Sequence, residues 1–117
     1  RLPVAFTGDT LFAGGCGRLF EGSAENMFSS LHKINQLPLN TEIYCAHEYT
    51  LANLNFAVVA EPDNPHTHKR RQQVSEMRAQ GAATVPSTLE LERLTNPFLR
   101  ATTVAQLAER RLQKDQF

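Results

Sequence analysis

The chain has no tryptophan, and cysteine, methionine and tyrosine occur only twice each. Cys16 and Cys45 are too far apart for a CxxC pair or a zinc ribbon, which excludes a disulfide-dense scaffold and a closed structural zinc site. Each is expected to be a buried thiol of a reducing compartment, with a disulfide between the two left open. Glycine and proline number only 6 each, which excludes collagen-like and low-complexity classes. No apolar run approaches the roughly 20 residues of a membrane span, so no membrane partner is expected. Neither sign of charge is in excess: 12 Lys plus Arg balance 12 Asp plus Glu. The distribution is uneven, with 3 basic and 7 acidic residues over 1–68 against 9 and 5 over 69–117. That is too mild for a nucleic-acid surface, and the Lys69-Arg70-Arg71 run reads as an ordinary solvated face.

What is present is one domain's worth of chain: 117 residues, 41% hydrophobic and 21% charged. Residue 1 is Arg, and strand-like sequence begins at once, so the chain is expected to be a piece of something longer with no leader ahead of it. Pro3-Val4-Ala5-Phe6-Thr7 reads as a buried strand delivering Asp9 at its end. Gly14, Gly15, Gly17 and Gly22 mark a tight loop. The spacing of Ala24, Met27, Phe28, Leu31 and Ile34 predicts a helix from a Ser23 cap through about Gln36. A second strand, Glu42–Ala46, delivers His47-Glu48-Tyr49. A helix capped by Thr50, with Leu51, Leu54 and Val58 inward, stops before Pro62. This order is an α/β half-unit.

After residues 61–66 the pattern becomes all-helical. Residues 67–80 form a helix with Val74 and Met77 inward. Ser87-Thr88-Leu89-Glu90 reads as a capping box for a short helix. Thr103-Val104-Ala105-Gln106 opens a last helix with Val104, Leu107 and Leu112 on its apolar face. The division predicted is 1–62 and 63–117.

Two strand-end residues, Asp9 and His47, sit where active sites form in layered α/β proteins, and both are ligand types for zinc or iron. Taken alone, Asp9 before Thr10 reads more readily as a turn, and a lone His as structural. Two ligands fall short of the four of a closed site. His66-Thr67-His68 resembles a metal pair, but the following Lys69-Arg70-Arg71 would repel a cation and Pro65 points to a helix start. Arg111 and Lys114 lie one turn apart and can share a carboxylate, although cations complementing a helix C-terminus explain them equally simply.

Five ordered motifs carry a family resemblance. They are Phe6-Thr7-Gly8-Asp9-Thr10-Leu11-Phe12-Ala13-Gly14-Gly15-Cys16-Gly17-Arg18, Tyr44-Cys45-Ala46-His47-Glu48-Tyr49-Thr50, Val85-Pro86-Ser87-Thr88-Leu89, Asn96-Pro97-Phe98-Leu99-Arg100 and Lys114-Asp115-Gln116-Phe117. Together they resemble the C-terminal portion of glyoxalase II, the hydroxyacylglutathione hydrolases. The resemblance implies an α/β fold: the C-terminal part of a metallo-β-lactamase αββα sandwich (1–62) followed by an all-helical glutathione-binding domain (63–117). It implies hydrolysis of S-D-lactoylglutathione to D-lactate and glutathione by two Zn²⁺, with iron or manganese as substitutes, in the cytoplasm. Asp9 would bridge both metals and His47 would ligate the second. Arg111 and Lys114 would hold the glycine carboxylate of glutathione, and Arg18 and Tyr49 the middle of the tripeptide.

The chain departs from the family pattern in two ways. Phe20 stands where some relatives carry Tyr, which removes one hydroxyl from the substrate site. The motif Thr-His-x-His-x-Asp-His is absent from the 117 residues. The isolated chain is therefore expected to bind no metal of its own and to be inactive. Its strands are expected to lose partners on both flanks and on the apolar face, so that it self-associates through exposed edges. Two other readings are a catalytically silent glutathione-binding fragment and a mono-iron sulfur dioxygenase of the same fold. Asn96-Pro97-Phe98 and the Lys114–Phe117 ending favour the thioesterase over the oxygenase.

Overall fold

The computed structural model describes residues 3–8, 11–16, 24–45 and 49–117. It is a small mixed α/β structure. In chain order it runs β1 (Val4–Gly8), β2 (Leu11–Phe12), β3 (Gly15–Cys16), α1 (Ala24–Ile34), β4 (Glu42–Cys45), α2 (Thr50–Ala60), α3 (Pro65–Ala79), β5 (Ser87–Thr88), α4 (Leu89–Thr95) and α5 (Val104–Asp115). β1 and β4 pair in parallel, which requires a crossover; the hairpin β2–β3 and helix α1 lie between them in the chain.

The second flank of β4 is taken by β5, antiparallel, with Ile43 opposite Ser87. This corrects two expectations. Residues 63–117 are not all-helical, and β4 is paired on both sides. Ser87 is consequently a strand residue, and the cap of α4 is Thr88, whose side chain accepts from Leu91 N–H at 3.2 Å. β1 remains an edge among the described residues. It is not a buried strand either: Val4 is 41% and Phe6 83% exposed. The Phe6 ring lies beside Tyr44 of the neighbouring strand, their centroids 5.4 Å apart.

One apolar core joins both ends of the chain. Leu11, Cys16, Leu31, Ile43 and Phe56 pack with Leu89, Phe98, Leu99 and Leu107. The five residues predicted for the inner face of α1 are its five unexposed ones up to Ile34, and only Leu31 is fully buried. In α2 the buried positions are Thr50, Asn53, Leu54, Phe56 and Ala57 rather than Val58, and Tyr49, not Thr50, stands at the cap position with no side-chain cap. In α3, Val74 is buried, whereas Met77 is 37% exposed. In α5, Leu107 is buried and Leu112 is 59% exposed. Arg111 takes the inward place expected of Leu112.

Candidate functional site

Parallel pairing puts Gly8 opposite Cys45, so the carboxyl ends of β1 and β4 lie side by side. Asp9 follows one of these ends by one residue and His47 the other by two. Asp9, Arg18 and His47 themselves lie outside the described residues, as does the Ser23 cap. Among the described residues no group of three or more His, Cys, Asp or Glu is arranged to hold a metal. His66 and His68 open α3, and the His68 ring nitrogen Nε2 lies 2.7 Å from the Pro62 carbonyl. Neither Cys16 nor Cys45 is in a disulfide.

The hairpin that follows β1 is built from glycine for two separate reasons. Gly14 sits in its turn at φ +78°, a left-handed conformation that side chains disfavour. Gly15 lies against Asn53, where a Cβ would come within 2.7 Å of the amide carbon. This close approach lets helices grip the hairpin backbone. Asn53 Nδ2 donates to the Ala13 carbonyl at 3.2 Å. Glu92 Oε1 accepts from Gly14 N–H at 2.8 Å. Asn96 Nδ2 donates to the Gly15 carbonyl at 2.9 Å, and Arg111 Nη1 to the Cys16 carbonyl at 2.7 Å.

Glu92 is wholly buried. Oε1 also accepts from Asn96 Nδ2 at 3.0 Å. Oε2 accepts from Ser87 Oγ at 2.6 Å and pairs with Arg70 Nη1 at 2.8 Å. The Arg70 guanidinium further donates to Thr95 Oγ1 at 2.6 Å and Ser87 Oγ at 3.2 Å. A buried carboxylate held this way avoids most of the cost of desolvating an unpaired charge. Sequence reasoning misses these residues because charged side chains read as surface. A signal is nonetheless present: Glu92 stands three residues after Leu89 and so shares its helical face.

Of the predicted glutathione contacts, Tyr49 is 48% exposed at the start of α2. Lys114 is half-buried, its Nζ 6.0 Å from the centre of the Phe56 ring and 5.9 Å from that of Phe117. Arg111 is only 5% exposed. Its guanidinium lies over Phe98 at 5.2 Å and donates from Nη2 and Nε to Asp115 Oδ1 at 2.9 and 3.2 Å. Arg111 and Lys114 thus share a helix end, but Arg111 faces inward.

A family model described as "Hydroxyacylglutathione hydrolase C-terminus" matches residues 48–117. The chain belongs to the hydroxyacylglutathione hydrolase family. A hydroxyacylglutathione hydrolase from Photobacterium profundum is 65% identical over 95 residues, covering 81% of this chain and 38% of that protein. One from a strain of Pseudomonas putida is 58% identical over 109 residues, covering 92% and 42%. One from Aliivibrio salmonicida is 53% identical over 112 residues, covering 94% and 44%. The chain therefore spans less than half the length of these family members. The grip on residues 13–16 connects the part matched by the family model to sequence upstream of it. No helix among the described residues is long and apolar enough to cross a membrane.

Proposed function

We propose that the full-length protein carrying these 117 residues hydrolyses 2-hydroxyacyl-glutathione thioesters, S-D-lactoylglutathione foremost, to the hydroxy acid and glutathione. The reading rests on 65% identity over 95 residues to a protein named hydroxyacylglutathione hydrolase. In this reading residues 1–62 complete a metallo-β-lactamase sandwich and residues 63–117 form the glutathione side of the site, in the glutathione-containing cytoplasm. The exposed Val4 and Phe6 on edge strand β1 are then the face that the rest of the protein covers.

The donor chemistry of this chain fits part of a zinc site: one carboxylate, Asp9, and one imidazole, His47. The remaining ligands belong to the rest of the full-length protein. Two bound metals would supply an activated water and polarise the thioester carbonyl. The chain's own side chains would bind and orient. Lys114 offers an ammonium to the glycine carboxylate, Tyr49 a hydroxyl and Arg18 a guanidinium to the tripeptide. Arg111 would join Lys114 in competition with its Asp115 partner.

The test is thioester hydrolysis and metal content of the full-length protein beside the 117-residue chain. Turnover with about two metals in the former and neither in the latter is the expected result. A full-length protein that retains metal but leaves the thioester intact would overturn the reading.

A further inference from the structure

The hairpin β2–β3 is held through four consecutive residues by side chains from three different helices. Asn53 of α2 holds Ala13, Glu92 of α4 holds Gly14, Asn96 at the end of α4 holds Gly15, and Arg111 of α5 holds Cys16. Asp9 lies two residues before this hairpin and Arg18 two residues after it. We propose that Glu92 and Asn53 are positioning residues, which fix the hairpin backbone and thereby the placement of Asp9 and Arg18 on either side of it. The inference rests on the hydrolase reading, in which Asp9 meets the metals and Arg18 the substrate.

Three observations carry it. The contacts run to backbone atoms, so they constrain the path of the chain rather than a side chain. They include both carbonyl and N–H groups, which leaves the turn little freedom to rotate a peptide plane. They are buried, where an unpaired polar group is unfavourable and the geometry is correspondingly well defined. Glu92 has a special place because its two oxygens take different partners. Oε1 meets the hairpin and Oε2 meets Arg70 and Ser87, so α3 and β5 are coupled to the same turn. A hairpin packed only by apolar contacts could shift by a fraction of an ångström without a comparable loss, because the hydrophobic effect is non-directional.

The experiment compares Glu92→Gln and Asn53→Ala with Val74→Ala in the full-length protein. Val74 is buried with Leu54 and Ala57 where α3 packs on α2, and it serves as a control for stability loss alone. The readouts are Tm, kcat and KM for S-D-lactoylglutathione, the rate at which a chelator strips zinc, and amide exchange at Gly14. Positioning predicts at least tenfold lower kcat/KM and at least tenfold faster zinc loss for Glu92→Gln and Asn53→Ala. It predicts faster Gly14 exchange in Glu92→Gln. Val74→Ala, at a similar Tm loss, should stay within about twofold of wild type on each. All three variants following one common line of activity and zinc retention against Tm would overturn the proposal. Should Glu92→Gln fail to fold, Asn53→Ala decides, since it disturbs no buried charge. A wild type that retains zinc but spares the thioester overturns only the hydrolase reading, and zinc loss then tests positioning. A wild type with neither metal nor turnover overturns both.

Discussion

Arg111 donates from Nη1 to the carbonyl of Cys16 at 2.7 Å, joining the last helix to the hairpin across 95 positions of sequence. The same guanidinium lies over the Phe98 ring and takes Asp115 on its other edge. Arg111→Ala removes all three interactions and strands a buried carbonyl. A loss of about 2–4 kcal/mol is expected by urea denaturation, with Arg111→Lys recovering little because it lacks the planar fork. A loss below about 1 kcal/mol would mean that the contact adds little to the fold.

Asp115 and a substrate carboxylate would compete for Arg111. Asp115→Asn weakens the internal pair, whose acidic partner is 39% exposed. Glutathione affinity, measured by calorimetry on the full-length protein, is expected to rise about threefold to tenfold. An unchanged Kd would place the glycine carboxylate on Lys114 alone.

Cys16 provides a pH signature. Burial pushes its thiol up to about 11 from 9.0, opposed by the nearby Arg111. The folded chain therefore holds this proton more tightly than the unfolded chain. The contribution is complete below about pH 9 and is lost as pH rises through about 11. About 2–3 kcal/mol of stability is expected to disappear over that window. Denaturation series at about pH 8 and about pH 11 on wild type and Cys16→Ser check this, since the variant should lose the part of the slope that belongs to the thiol.

Glu92→Gln leaves the Arg70 charge buried without its partner. A destabilisation of about 3–5 kcal/mol is expected, and the double substitution Arg70→Met with Glu92→Leu should regain much of it. The regain is incomplete because Gly14 N–H and Asn96 Nδ2 lose their acceptor. A double variant no more stable than Glu92→Gln would mean that the hairpin contacts, not the stranded charge, account for the loss.

Phe6 is 83% exposed on edge strand β1. The isolated 117-residue chain is expected to self-associate through that edge, and Phe6→Ser to shift it toward monomer. Light scattering at matched concentrations reads this directly. A wild-type chain that stays monomeric across the range would count against the exposed edge as a contact surface.

Apolar periodicity makes several parts of this structure legible in advance. The inner face of α1, the positions of β1 and β4, Val74 and Leu107 all follow from spacing alone. Spacing misplaces residues wherever polar groups enter the core. It points Leu112 inward, but α5 turns Arg111 in because a hairpin carbonyl lies there. Val58 yields to Asn53, which is drawn in by Ala13. Ser87 reads as a cap because strand β5 is only two residues long, too short for any alternation to announce it. Of the candidate site, the strand ends that lead to Asp9 and His47 and the cationic end of α5 are readable directly. The buried Glu92–Arg70 pair is not, since its partners come from separated stretches of sequence.

The core shared by Leu11, Cys16 and Ile43 with Phe98 and Leu107 has a consequence for recombining this chain with others. A helical C-terminal segment held on by a linker could be exchanged between proteins as an independent cassette. Here its buried carboxylate, amide and guanidinium are matched to the backbone of one particular turn. The segment and the hairpin depend on one another, and a chimera that replaces either with sequence lacking these partners strands polar groups at its centre.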